Sequence, residues 1–514
     1  MRTGPAAGEP AVVDLLGVGA GPFNLSLAAL ADGVPGLDAV FLEQRTAFRW
    51  HPGMLVEGAS LQVPFLADLV SLVDPTSRWS FLNYLRAQER LFPFYFAERF
   101  HVPRAEYDAY CRWVSGALPS CRFGHRVDTV RWDGVRRAYE VAFTRVDEHG
   151  AALSTGRLLA RNLALGVGTA PHVPAPLRDL AGDPDAPVLH SAEYLAHRDR
   201  LLAAGHVTVV GAGQSGAEVL LDLLRARPAG REGLAWLART PAFAPMEYSR
   251  LGLEHFTPDH TRYFRELPEA ARDRLLPAQW QLYKGVSART LSDIHDELYR
   301  RTLAGGWPDV TLTPGVAVTA AGRRGGRVEL ALEHREEGSR ATLATDAVVL
   351  ATGYARRPLD GLLGPLGPHV ARDGSGRPLV DHDQRLVLDE EVGGAVFVQN
   401  AEHHTHGVGT PDLGLAAWRS AVILNALTGR PVHPLPRRTA FTTFGLARTG
   451  GGRDGPDGRG DRNGRDDRDG RDDRRGDRDG QNGRGDRDDR NDRNDRDGRR
   501  NDGQGERNER GGRA

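Results

Sequence analysis

Short runs of consecutive apolar residues punctuate about the first 440 positions of the chain, and glycine stops two of them in the same way. Residues 12–16 lead directly into Gly17-Val18-Gly19-Ala20-Gly21-Pro22-Phe23-Asn24, and a helix-like run, 25–30, follows. About 190 residues later His206-Val207-Thr208-Val209-Val210 leads into Gly211-Ala212-Gly213-Gln214-Ser215-Gly216 and then the helix-like run 217–224. Continuous rather than alternating apolar runs predict strands buried on both faces, as in a parallel sheet covered by helices. A strand, a glycine loop and a helix in that order suit a dinucleotide. The glycines let the backbone approach a pyrophosphate, and the helix start offers free N–H groups. The fold class expected is α/β with two Rossmann-like dinucleotide-binding domains.

The next strands suggest which nucleotide each loop takes. Ala39-Val40-Phe41-Leu42-Glu43 ends in an acid suited to ribose hydroxyls, whereas Leu234-Ala235-Trp236-Leu237-Ala238-Arg239 ends in a base suited to a 2′-phosphate. FAD is therefore expected at Gly17, Gly19, Gly21, Pro22, Asn24 and Glu43. NADPH is expected at Gly211, Gly213, Gln214, Ser215, Gly216 and Arg239. The pattern divides the chain into a first FAD-binding part (11–175) and an NADPH-binding domain (203–340) with a helical insert at about 245–303. A returning FAD-binding part (345–430) follows, opened by the buried run Asp346-Ala347-Val348-Val349-Leu350-Ala351-Thr352-Gly353-Tyr354.

Composition changes the picture mainly at the C-terminus. From Gly451 onward the chain is almost entirely Gly, Arg, Asp and Asn, with 19 arginines against 19 acidic residues and no aromatic or branched apolar side chain. Such a segment cannot offset the entropy of ordering, so 449–514 is expected to be a disordered tail. Over the whole chain 67 basic residues meet 68 acidic ones, which gives no basis for nucleic-acid or membrane-surface binding. Two cysteines without a redox-pair spacing, no membrane-length apolar run and no signal segment point to a reducing cytoplasm.

Several further segments carry a resemblance. Trp50-His51-Pro52-Gly53-Met54, Leu61-Gln62-Val63-Pro64-Phe65-Leu66 and Trp79-Ser80-Phe81-Leu82-Asn83-Tyr84-Leu85 precede the second loop. Met246-Glu247-Tyr248-Ser249, Leu251-Gly252-Leu253-Glu254-His255-Phe256, Tyr283-Lys284-Gly285 and His404-Thr405-His406-Gly407 follow it. Together with the two loops, over about residues 11–430, they resemble the FAD- and NADPH-dependent N-hydroxylating monooxygenases of siderophore biosynthesis, which act on lysine, ornithine or diamines.

The resemblance implies a mechanism in which NADPH reduces the flavin and O2 is captured as a C4a-hydroperoxide. An unprotonated substrate amine then attacks the distal oxygen. No catalytic side chain and no metal is implied; the histidines at 403, 404 and 406 would lie near the flavin. Trp50, His51, Gln62, Thr352, Gly353, Asn400, Leu413 and Leu415 would join the cofactor contacts. The partners implied are a small amine and O2, with self-association and contacts to later siderophore enzymes left open. Baeyer–Villiger-type flavoproteins fit less well, because Val188-Leu189-His190-Ser191-Ala192-Glu193-Tyr194 lacks their Phe-x-Gly-x-x-x-His pattern. Disulfide reductases lack support for want of a redox cysteine pair, and a non-catalytic flavoprotein remains the other class.

Substrate choice turns on Gln62-Val63-Pro64-Phe65-Leu66-Ala67-Asp68-Leu69. Ornithine hydroxylases of the family place a lysine where this chain has Ala67, so the resemblance implies loss of a carboxylate partner and favours cadaverine or putrescine, with lysine and ornithine as alternatives. Gln62, Asp68, Glu254 and Lys284 are the substrate-binding candidates, with Glu57 as a further carboxylate. Lys284 is the only lysine beside 66 arginines. Its slender, titratable amine suggests a particular role near substrate or nicotinamide. Trp50, Phe65 and Trp79 are expected as apolar walls.

Overall fold

Strand β1 (Val12–Val18; strands are numbered in chain order) forms on the first apolar run, with Leu15 and Leu16 fully buried. It pairs in parallel with β2 (Ala39–Glu43) on one side and β6 (Ala152–Leu165) on the other. β3 (Cys121–Phe123) extends the sheet beyond β2, while β4 (His125–Asp133) and β5 (Ala138–Val146) add an antiparallel meander to the first half of β6. β17 (Val396–Val398) lies parallel to the end of β6. The computed structural model describes residues 12–446 apart from 184, 185 and 304, so the disorder expected for 449–514 lies outside the described residues.

Helix Pro22–Ala31 is apolar nearly all round because it is covered on every side, by the sheet and by helix Ala416–Thr428. Ser420 Oγ donates to Ser26 Oγ at 3.1 Å, and Ser26 Oγ donates onward to the Leu69 carbonyl at 2.6 Å, which satisfies the polar atoms of that packing. The first glycine loop is thus clamped between a buried strand and a buried helix.

The second sheet is wholly parallel, in the order β11 (Val310–Thr313), β10 (Leu234–Leu237), β9 (Val207–Val210), β15 (Ala347–Leu350), β8 (Val188–His190). This corrects the boundaries expected from sequence. The run 347–350 does not open the return to the first sheet; it pairs with β9 and β8 and completes the second. Its four buried residues would suit either parallel sheet, and only long-range pairing decides between them. The crossing between the two sheets is made instead by β7 (Thr169–Pro171) and β16 (Tyr354–Arg356), which pair antiparallel.

An antiparallel sheet of β12 (Val316–Arg324), β13 (Arg327–His334) and β14 (Arg340–Thr345) is inserted before β15. The helical insert occupies the expected stretch, with helices Arg250–Leu253, Pro258–Glu266, Glu269–Ala278 and Ala288–Thr302. Ser249, Thr257 and Ser287 cap three of them through side-chain oxygens. Leu291, Ile294 and Leu298 of the last helix pack into the apolar core that also holds Val219, Leu220 and Leu223 of helix Gln214–Ala226.

Candidate active site

Each of the three glycines in the first loop answers a different requirement. A Cβ on Gly17 would meet the Phe41 ring at 2.1 Å, and one on Gly19, whose φ is +85°, would meet the Gly166 carbonyl at 2.4 Å. A Cβ on Gly21 would meet nothing within 4 Å, so the loop is open where the helix begins. Pro22 starts that helix, and no side chain caps it. Open space before uncapped N–H groups is the geometry a pyrophosphate needs. Glu43 is held at the lip of this loop, accepting from Ala20 N and Arg45 N, both at 3.0 Å. Asn24 departs from expectation. Its buried Nδ2 donates to the carbonyls of Val18, Gly19 and Ala164, and its Oδ1 accepts from Gln399 Nε2, so its side chain staples the loop.

The second loop repeats the pattern. Gly211 has a φ of +131° and its Cβ would meet the Ala351 carbonyl at 2.1 Å, while a Cβ on Gly216 would meet the Gly211 carbonyl at 2.3 Å. Gly213 begins an uncapped helix, and Ser215 has no side-chain partner among the described residues. Gln214 is turned away from the loop mouth: its Nε2 donates to Glu218 and Thr290, and its Oε1 accepts from Ser287 N. That amide ties the loop to the helical insert and is not left for phosphate. Arg239, just past β10, is exposed and makes no ion pair or hydrogen bond among the described residues.

Between the loops runs a chain of edge-on rings. Trp50 packs on His51 and Tyr107, and Tyr354 touches both His51 and His190, with centroid separations of 5.0–5.5 Å. His51, in the left-handed region at φ 46°, has its pKa pushed down to about 4 by its surroundings and then by the charges of Arg104 and Arg45. Gly53 must be glycine, because a Cβ would lie 1.9 Å from the Ala192 carbonyl. The buried polar atoms without a hydrogen-bond partner in these segments include Gln62 Nε2, Tyr107 OH, Tyr354 OH and His403 Nε2. His403 stacks edge-on with Tyr283 at 5.6 Å, and the Lys284 ammonium sits 5.2 Å from the Tyr283 ring centre. Burial, followed by the charges of Arg356 and Lys284, lowers the His403 pKa to about 3.

The other expected residues divide. Thr352 Oγ1 is spent on the His172 carbonyl at 2.5 Å, and the Gly353 carbonyl accepts from His172 N and His190 Nε2, so these two fasten the crossing. Asn400 follows β17 with φ +66°; Leu413 and Leu415 lie in the turn before helix Ala416–Thr428. Asp68 is not a substrate ligand. Its buried carboxylate accepts from Val70 N, Ser71 N, Ser71 Oγ and Phe81 N at 2.6–2.9 Å. Glu254 is likewise consumed, by Phe441 N, Thr442 N and Thr442 Oγ1, and pins the segment after the last helix. Glu57 lines a different recess of about 470 Å³ beside Arg198 and Arg225. Phe65 and Trp79 pack against the apolar core that lies on the first sheet and helix Pro22–Ala31.

The family of L-lysine 6-monooxygenases and L-ornithine 5-monooxygenases matches residues 11–356. A putrescine N-hydroxylase of Shewanella oneidensis is 40% identical over 433 residues, covering 84% of each chain. The FAD-bound cadaverine monooxygenase of desferrioxamine biosynthesis in Erwinia amylovora superposes with a TM-score of 0.79 at 38% identity, over 85% of this chain and 99% of that one. An ornithine N-hydroxylase of Kutzneria, solved with reduced FAD, NADP+ and L-ornithine, gives a TM-score of 0.75 at 28% identity, over 82% and 99%. This chain belongs to the lysine/ornithine monooxygenase family.

The family member described here is a flavin-dependent N-monooxygenase that uses FAD and NADPH. Its residues fit both groups: two open, uncapped loops, the orphaned amide of Gln62 and the unengaged guanidinium of Arg239. One residue at this site escaped sequence reasoning. Asp412 caps the turn Leu413–Leu415 through a 2.7 Å bond from Gly414 N to Oδ1. A Cβ placed on Gly414 would stand 2.8 Å from that oxygen and 4.0 Å from the Ala67 Cβ, so residues 67 and 412 flank one point. Nothing local in the sequence signals that proximity. Among the described residues no helix is long and apolar enough to cross a membrane.

Proposed function

We propose that this enzyme hydroxylates one terminal amine of a short diamine, cadaverine or putrescine, in the assembly of a hydroxamate siderophore. The observation that carries this reading is Ala67. Its buried methyl and the neighbouring Gly414 offer no cation for a substrate carboxylate, and two of the three relatives named above, the putrescine N-hydroxylase and the cadaverine monooxygenase, act on diamines. Bound FAD, reduced by NADPH, supplies activated oxygen. The protein's own work is to hold both nucleotides, exclude water and present the amine uncharged. A free primary amine has a pKa of about 10.4, and an apolar surrounding lowers it. His403, neutral and with a buried Nε2 that has no partner, is too weak a base to remove the amine's proton.

Lysine is the second reading, because the exposed Lys284 ammonium beside Tyr283 could hold an amino-acid carboxylate. A screen of hydroxylamine formation over cadaverine, putrescine, lysine and ornithine decides between them; the highest kcat/KM with lysine would overturn the diamine reading. Both cysteines are free, which supports a reducing cytoplasm. The helix Leu91–Ala97, with Phe92, Tyr95 and Phe96 each more than two-thirds exposed, supports self-association, which sedimentation would test. The hydroxylamine product must next be acylated, so a downstream acylating enzyme is the natural partner.

A further inference from the structure

We infer that Asp412 is the specificity-determining carboxylate of this site, binding the distal ammonium of the diamine while the other end reacts. The inference rests on the diamine reading above and names the group that reading requires. A dication bound by an uncharged pocket would leave its second ammonium without a partner, at a large desolvation cost. Some carboxylate must therefore meet it. Asp68 and Glu254 are engaged by protein donors on both oxygens, and Glu57 faces another recess. Glu402 is fully buried against Arg419 and Ala401 N.

Asp412 differs from all of these. It is half-buried; its Oδ1 accepts only the capping bond from Gly414 N, and Oδ2 has no hydrogen-bond partner among the described residues and is not sealed from solvent. Ala67 and Gly414, beside it, contribute no bulk and no charge that would compete. Tyr248, on the segment leading into the helical insert, is close enough for the Asp412 charge to help raise its pKa to about 12, after burial. The buried Arg419 feels Asp412 too, but its Nη2 is committed to the Thr410 carbonyl and its charge to Glu402. Burial raises the Asp412 pKa to about 6, so the group is still mostly ionised at neutral pH. The same charge would repel the carboxylate of lysine or ornithine, which gives one residue both the attraction and the exclusion.

The test compares cadaverine with n-pentylamine, which has the same five-carbon chain and lacks the second amine, in the FAD-loaded enzyme. Asp412→Asn and Asp412→Ser both keep a side-chain oxygen for the cap, and FAD content and thermal unfolding check the fold. The expected result is a fall of roughly 10- to 100-fold in the ratio of kcat/KM for cadaverine to that for pentylamine, carried mainly by KM. The ratio of lysine to cadaverine activity should rise. A wild-type enzyme that prefers lysine to every diamine overturns the substrate reading. A wild-type enzyme that prefers cadaverine, with both variants retaining its cadaverine-to-pentylamine ratio, overturns the role of Asp412 alone.

Discussion

Replacing Arg239 with alanine isolates the coenzyme choice, because the side chain has no other engagement. It is exposed at the end of β10, with no ion pair or hydrogen bond among the described residues, so its loss breaks nothing inside the protein. What is lost is a charge-assisted contact to the 2′-phosphate of NADPH. Such contacts contribute about 1.5–3 kcal/mol, and exposure to solvent and salt puts this one at the lower end, about 1.5–2 kcal/mol. The KM for NADPH should therefore rise roughly 10- to 30-fold, while that for NADH, which lacks the phosphate, changes less than about twofold. Stopped-flow flavin reduction under anaerobic conditions, titrated with each coenzyme, separates binding from the later oxygen chemistry. The expected NADPH effect should shrink as salt is raised. Equal weakening for both coenzymes would refute the assignment and move the 2′-phosphate to another cation.

Asp68→Asn should leave the KM for the amine unchanged but lower stability by about 1–3 kcal/mol, since the amide would set an N–H against the Phe81 N–H; thermal unfolding with steady-state kinetics reads both, and a large KM change would return Asp68 to the substrate site. Ala67→Lys should depress diamine turnover by placing a cation beside a dication; undiminished cadaverine kcat/KM would refute the placement of that residue. As pH falls through about 6, protonation of Asp412, faced by Tyr248 and Arg419, should lower the cadaverine-to-pentylamine ratio, whereas above it the ratio should be flat; a pH-independent ratio would oppose the inference. A chain ending near Arg448 should keep FAD binding and hydroxylation, because the Gly/Arg/Asp/Asn segment has no apolar side chain to line a pocket; a tenfold loss of hydroxylation with FAD retained would show otherwise.

The nucleotide loops were legible because their constraints are local. Gly19 and Gly211 need positive φ and zero side-chain volume within a few residues of a strand end, and chain neighbours alone announce that requirement. The expectations for Glu43 and Arg239 are local in the same way, since Glu43 ends β2 and Arg239 lies two residues past the end of β10. The family resemblance rested on segments of this kind, and the comparisons bear it out. What the sequence could not determine was where a polar group spends its bonds. Asp68, Glu254, Asn24, Gln214 and Thr352 all looked available, yet each is engaged by atoms whose approach the fold alone decides. The run 347–350 satisfied the pattern of a buried strand without naming its sheet. Asp412 and Ala67 lie 345 positions apart and meet only because helix Ala416–Thr428 packs on helix Pro22–Ala31 beside the segment that carries Ala67. Hydrophobic patterning and glycine placement act over a few residues and can be read in one dimension. The pairing of charges and donors is settled by long-range packing, and only the tertiary structure decides it.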